Sequence, residues 1–206
     1  LPFGIIKTDE YRFNQIDNLP FGESIDCGMK IDGSSASYYY KLPIPEIKQE
    51  EQFGILSRSL EIKLDSDNNY TRVEKRYNIL EKLKTFCQKH NISLAVRGEV
   101  FGSNIQAFNI NPHKGLPLDW AMFSVWLIDE KRYARKGERY YFLNIAEEIG
   151  LPTVPVLERN VILTPEFIKK YCEDMTELNG KPFEGVVIQY SGGSFKVINK
   201  YYDSKK

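Results

Sequence analysis

An amine attacks phosphorus only after losing its proton, and the stretch Met29-Lys30-Ile31-Asp32-Gly33-Ser34-Ser35 holds a lysine where a fold could arrange that. Free lysine has a pKa of about 10.4, so roughly one in a thousand is neutral at pH 7; burial and nearby cations raise that fraction. Lys30 ends a short apolar segment and stands just before the strand-like Ala36-Ser37-Tyr38-Tyr39-Tyr40. Lys-x-Asp-Gly by itself matches many solvated turns, so the weight falls on what accompanies it. Arg58 carries a planar fork suited to phosphate. Glu99, in Arg97-Gly98-Glu99-Val100-Phe101-Gly102, is an acid wedged between a glycine and apolar residues. Glu184 and Lys196 lie on what read as neighbouring strands, Phe183-Glu184-Gly185-Val186-Val187-Ile188 and Ser194-Phe195-Lys196-Val197-Ile198-Asn199-Lys200. Histidine chemistry has only His90 and His113 to draw on.

The elements that must position these groups can be read from periodicity and punctuation. Residues 1–26 read as loop and short strand, and 24–41 as strand-rich around Lys30. Pro43 and Pro45 lead to a strand over 53–64, whose last part alternates apolar and polar. After a turn-rich break, Thr71 and Glu74 make a capping box, and Val73, Tyr77, Leu80, Lys84 and Cys87 recur at helical spacing to about Asn91. Strands are expected over 93–101 and 121–128, with 103–118 mixed loop and short strand between them. On the second strand, alternation puts 121, 123, 125 and 127 on one face and 120, 122, 124 and 126 on the other. A helix over 137–149 stops at Gly150, and Thr164-Pro165 opens another. Strands over 183–190 and 194–202 flank Ser191-Gly192-Gly193 as a hairpin. The pattern is an α+β fold, mainly antiparallel, in one domain without an internal linker.

Composition narrows the function. The 28 Lys and Arg balance the 28 Asp and Glu, which excludes a bulk polyanion coater and requires any nucleic-acid contact to use a local basic patch. No apolar run is long enough to span a bilayer. Cys27, Cys87 and Cys172 are odd in number and widely spaced, which fits a reducing intracellular compartment better than a disulfide framework or zinc site. The first residue is Leu, as expected of an excised domain or a processed product.

Taken in order, Lys30-x-Asp32-Gly33, Ser57-Arg58, Arg97 to Gly102, Trp120-Ala121-Met122-Phe123-Ser124-Val125-Trp126, Phe183 to Ile188 and Ser194 to Lys200 resemble motifs I, Ia, III, IIIa, IV and V of the covalent nucleotidyltransferases. These are the ATP-dependent RNA and DNA ligases and the mRNA capping enzymes, and the resemblance covers about residues 25–202. Within them the chain looks most like an RNA ligase of the type with an OB-fold ahead of the catalytic domain. It is similar, less closely, to RNA ligase 2 of phage T4 and the kinetoplastid editing ligases. The resemblance implies an adenylyltransferase domain over 1–206, with the OB domain absent from this chain. It implies ATP, leaving AMP on Lys30, and a divalent metal, magnesium or manganese. It also implies a monomer acting on RNA or a nicked duplex with 3′-hydroxyl and 5′-phosphate ends.

The same resemblance gives roles residue by residue. Lys30 is the nucleophile; Lys196 holds the α-phosphate; Glu184 faces the metal through water; Glu99 accepts from ribose hydroxyls; Arg58 meets the sugar or the incoming 5′-phosphate. Phe123 stacks on adenine, with Trp126 its rival from the opposite face, and backbone near Met29 and Cys27 reads the adenine edge. Asp32 and Gly33 shape the turn that presents Lys30. The family's second motif V lysine is missing, since Ile198 stands there, and Lys200 on the same strand face is the candidate substitute. Tyr38, Tyr39, Tyr40, Tyr201 and Tyr202 are expected to pack, and Lys205 and Lys206 to fray. Other readings are a DNA ligase, a GTP-dependent capping guanylyltransferase, and a non-catalytic nucleic-acid-binding module.

Overall fold

The computed structural model describes residues 1–7 and 9–203, so the expectation for Lys205 and Lys206 falls outside the described residues. Among the described residues, ten strands form two antiparallel sheets. The first sheet has the order β10-β9-β1-β8, from β1 (Ser24–Lys30), β8 (Val156–Ile162), β9 (Gly185–Tyr190) and β10 (Gly193–Ile198). The second has the order β4-β3-β2-β5-β6-β7, from β2 (Ser34–Lys41), β3 (Gln52–Leu56), β4 (Glu61–Ile62), β5 (Leu94–Phe101), β6 (Asp119–Leu127) and β7 (Arg132–Tyr133). The α+β, mainly antiparallel architecture is the expected one.

The two sheets keep separate cores. Helices α1 (Asn69–Tyr77), α2 (Ile79–His90) and α3 (Phe142–Ile149) cover one face of the six-stranded sheet. Val73, Leu83, Cys87, Ile145, Tyr38, Val96 and Trp120 meet there, all buried. The four-stranded sheet buries Ile25, Cys27, Val186, Ile188, Phe195 and Val197 under α4 (Pro165–Lys169) and the π-helical turn that continues it, Lys170–Asp174. The faces left over look into a common cleft. Asp26 ties the layers at depth, accepting from Tyr141 Oη at 2.9 Å and from the Asn160 backbone at 3.0 Å.

Several local expectations are corrected. The strand over 53–64 is broken, because Ser57 bonds back onto Leu60 and turns the chain between β3 and β4. The cap of α1 is Asn68, not Thr71: Asn68 accepts from the Thr71 backbone while Thr71 Oγ1 accepts from the Asn68 backbone, and Asn can do this as well as Ser or Thr. Asn78, left-handed at φ 52°, divides the single expected helix into α1 and α2. Residues 103–118 form turns without a strand. The last strand ends at Ile198, and Lys200 begins a helical turn, α5 (Lys200–Asp203), so Lys200 does not share a strand face with Lys196. β8 was not foreseen; it is an edge strand with mostly polar or half-exposed residues.

The sharpest correction is on β6. Arg97 pairs with Ser124, but Gly98 pairs with Met122, so Phe123 is a surplus residue, a β-bulge. The alternation changes phase there. Trp120, Met122, Val125 and Leu127 all join the helix-side core, while Trp126 packs with Ala95 and Tyr39 on the other side.

Candidate active site

Register on the four-stranded sheet brings the charged groups together. Lys30, the last residue of β1, is paired with Gly185, and Glu184 is the residue just before it. Lys30 Nζ lies 3.1 Å from Glu184 Oε1, with the carboxylate side chain only 12% exposed. Two residues along, Val187 pairs with Lys196 and with Gly28, so Lys196 and Lys30 project from the same, cleft-facing side. Gly185 has to be glycine, because a Cβ there would collide with the Val197 carbonyl of β10.

The six-stranded sheet supplies the opposite wall. Glu99 on β5 projects from the face away from the helices, and its Oε1 accepts from the Gly33 backbone at 3.2 Å. That bond links the turn after Lys30 to the second sheet. A Cβ at Gly33 would strike the Val100 carbonyl, so the turn fits only glycine. Asp32 is buried and accepts from Tyr202 Oη at 2.7 Å, while its backbone carbonyl accepts from Asn111 Nδ2 at 3.0 Å. Between the walls lies a cavity of about 480 Å³ lined by Lys30, Glu99, Phe123, Lys196, Arg58 and Glu10 among others. A narrower annex of about 70 Å³ continues it between Phe123, Val187, Met29, Ile31 and Val154.

The structure therefore gathers Met29, Lys30, Arg58, Glu99, Phe123 and Lys196 around one space, with Glu184 in contact with Lys30. It does not set Trp126 opposite Phe123. The bulge turns Trp126 away from the helices, where Nε1 donates to the Gly4 carbonyl at 2.8 Å and the ring meets Tyr133 edge-on at 4.9 Å. Arg58 sits at the rim, its guanidinium paired with Asp9 and more than half exposed. Sequence reasoning missed two contributors. Val187 could have been found from the tight hairpin, since counting back from the turn places it across from Lys196. Glu10 carries no local signal; a distant segment brings it in.

Burial and charge set the protonation states. Burial works against a charged amine at Lys30, but the Glu184 and Glu99 carboxylates outweigh it and hold its pKa above the ordinary lysine value. The expected depression of Lys30 is thus not found: its pKa is shifted upward instead. Lys196 is shifted downward, by burial first and by Lys30 next. Burial pushes the Glu99 carboxyl up to about 7, against the opposing pull of Lys30.

The donor set bears on the metal. Among the described residues there is no cluster of three or more His, Cys, Asp or Glu able to cage an ion. A single carboxylate such as Glu184, in contact with a cavity-lining lysine, does fit magnesium or manganese, which keep most of their waters and share the rest with substrate oxygens.

A model of the RNA ligase family matches residues 27–201. No curated protein matches the chain. Among solved structures, a lysine-to-alanine variant of the Naegleria gruberi RNA ligase with ATP and manganese is 27% identical, with a TM-score of 0.77. A glutamate-to-alanine variant of that ligase with AMP and manganese is 26% identical at a TM-score of 0.78, and the ligase with pyrophosphate is 28% identical at 0.76. Each match covers 100% of this chain and 59% of the other, so the chain spans about three-fifths of the solved relatives' length.

Proposed function

As the chain belongs to the RNA ligase family, we propose that it is an ATP-dependent adenylyltransferase domain that charges Lys30 with AMP and passes it to a 5′-phosphate end of RNA. The observation that carries this reading is the 3.1 Å contact of Lys30 with Glu184, in a site that also holds Glu99, Phe123 and Lys196.

In the first step Lys30 Nζ attacks the α-phosphorus of ATP. Lys30 gives up one proton to solvent before attack and a second as the nitrogen–phosphorus bond forms; the bond to the bridging oxygen breaks, and pyrophosphate leaves with the electron pair. Lys196 offers its ammonium to the α-phosphate oxygens as negative charge builds there. Glu99 accepts from the ribose hydroxyls, and the base slides into the annex between Phe123 and Val187, a slot bounded by apolar side chains. The Lys30 proton is the obstacle, because Glu184 and Glu99 hold it in place. A divalent cation held through water at Glu184 would offset that carboxylate, loosening the proton while neutralising phosphate charge. Asp32, fixed by Tyr202, keeps the turn from letting Lys30 drift.

AMP then moves to the strand's 5′-phosphate, and a 3′-hydroxyl displaces it to seal the ends. We assign these later steps to the longer protein, in which an OB-fold module would grip the duplex. Three free thiols, Cys27, Cys87 and Cys172, support a reducing compartment, and among the described residues no helix is long and apolar enough to cross a membrane.

The test is the intact mass of the purified chain after incubation with ATP or GTP and magnesium. A gain of one AMP on Lys30 from ATP is expected. Label from GTP alone would overturn the ligase reading in favour of a capping activity, and no adduct with either would leave a binding module.

A further inference from the structure

The first residues of the chain cross the mouth of the cavity. Asp9 pairs with Arg58 on the six-stranded wall. Tyr11 reaches the other wall, where its carbonyl accepts from the Lys196 backbone at 2.8 Å and Arg12 makes a parallel bridge to β10. Between these two anchors stands Glu10. Ser194 Oγ lies 2.8 and 2.9 Å from its two carboxylate oxygens, so one hydroxyl proton serves both. Glu10 borders the nucleotide cavity, the base annex and an outer groove of about 780 Å³, and among the described residues it alone lines all three.

A carboxylate in this position lines the same cavity as Lys196 and Lys30, the cations a bound phosphate would meet. Burial raises the Glu10 carboxyl above its ordinary value, and the Ser194 hydroxyl, Lys196 and Lys30 pull the other way, toward the ionised form. Nothing about the strand addition requires an acid: Tyr11 and Arg12 attach through backbone, and Glu10 is free of any structural ion pair at close range among the described residues.

We propose that Glu10 sets nucleotide affinity by standing in for a phosphate: its carboxylate, held by Ser194, lines the same cavity as Lys196 and Lys30, and the nucleotide binds by displacing it. This rests on the adenylyltransferase reading for the identity of the incoming anion. Displacement requires that Ser194 release the carboxylate and that the Asp9–Arg58 pair open so that residues 9–10 swing outward, while the Tyr11 anchor stays in place. The same repulsion would help pyrophosphate leave after the lysine is charged.

The experiment has two arms on the full chain. Calorimetric titration with inorganic pyrophosphate measures anion binding without chemistry, and adduct formation against ATP concentration gives half-saturation. Glu10→Gln keeps the size of the side chain and an acceptor for Ser194 but removes the charge. It is expected to tighten pyrophosphate about fivefold and to lower the ATP half-saturation by a similar factor, as loss of a like charge near the phosphate should. Ser194→Ala, which unties the carboxylate, should move both in the same direction by less. A folded Glu10→Gln that binds pyrophosphate equally well or more weakly overturns the proposal, because a residue with a purely structural role leaves anion affinity unmoved. If the native chain gains no AMP, the adenylyltransferase reading fails instead, and the pyrophosphate arm still decides the role of Glu10.

Discussion

The two sheets divide the work unequally. The four-stranded sheet holds Lys30, Glu184 and Lys196 within a few residues of ladder, so their spacing is set by register alone. The six-stranded sheet contributes Glu99 and Phe123 and is backed by three helices and the larger core. One wall carries the charged cluster of Lys30, Glu184 and Lys196; the other carries Glu99, Phe123 and most of the buried apolar mass. A change on the first wall should alter rate with little change in stability, and a change behind the second should do the reverse.

The largest expected effect tests the first half of that contrast. Lys30→Ala should cut AMP adduct by roughly a thousandfold or more, measured by mass, because no other amine stands where it does. Its melting temperature should stay near that of the parent; a collapse of the fold would mean that the four-stranded wall is structural after all. Leu83→Ala tests the other half. Leu83 is completely buried on α2, so truncation should cost about 2–5 kcal/mol in denaturant unfolding. The adduct rate per folded molecule should hold, and a parallel loss of rate would erase the distinction between the walls.

Phe123→Ala sharpens the contrast within the cavity. Stacking of a base on an aromatic ring contributes about 1–3 kcal/mol, so the ATP half-saturation should rise roughly tenfold while the maximal rate falls less. The smallest effect concerns pH. Burial raises the Glu99 carboxyl to about 7, so the fold favours its protonated form. Stability from this group is complete below the ordinary glutamate pKa and is lost as pH rises through about 7. Glu99→Gln should therefore stabilise the fold more at pH 8 than at pH 5, by an amount of order 1–2 kcal/mol in denaturant unfolding. An equal shift at both pH values would show that the carboxyl is not held protonated.

The charged wall was the more legible of the two. Lys30, Glu184 and Lys196 sit at strand ends and on a hairpin, where turn residues announce the register. Glu99 could be located because Gly98 and the apolar residues after it frame an acid on a strand. Phe123 was legible as an aromatic on a strand, but its face was not. A bulge leaves no mark in apolar alternation until the partner strand is known, and so Trp126 was misplaced. Glu10 was illegible for a different reason: its role arises from a bridge between residues 12 and 196, far apart in sequence. The ends of local elements suffered from near-equivalent capping residues, as with Asn68 against Thr71. β8 escaped notice because an edge strand, half wetted, need not alternate cleanly.

The surplus residue on β6 leaves the cleft open to a simple kind of change. Removing Phe123 would bring Met122 and Ser124 into consecutive rungs opposite Gly98 and Arg97, so the ladder would close with every other side chain on its present side. A single in-frame codon thus separates a cavity with an aromatic platform from one without it. A descendant of this chain could gain or lose its hold on a flat ring without refolding anything else.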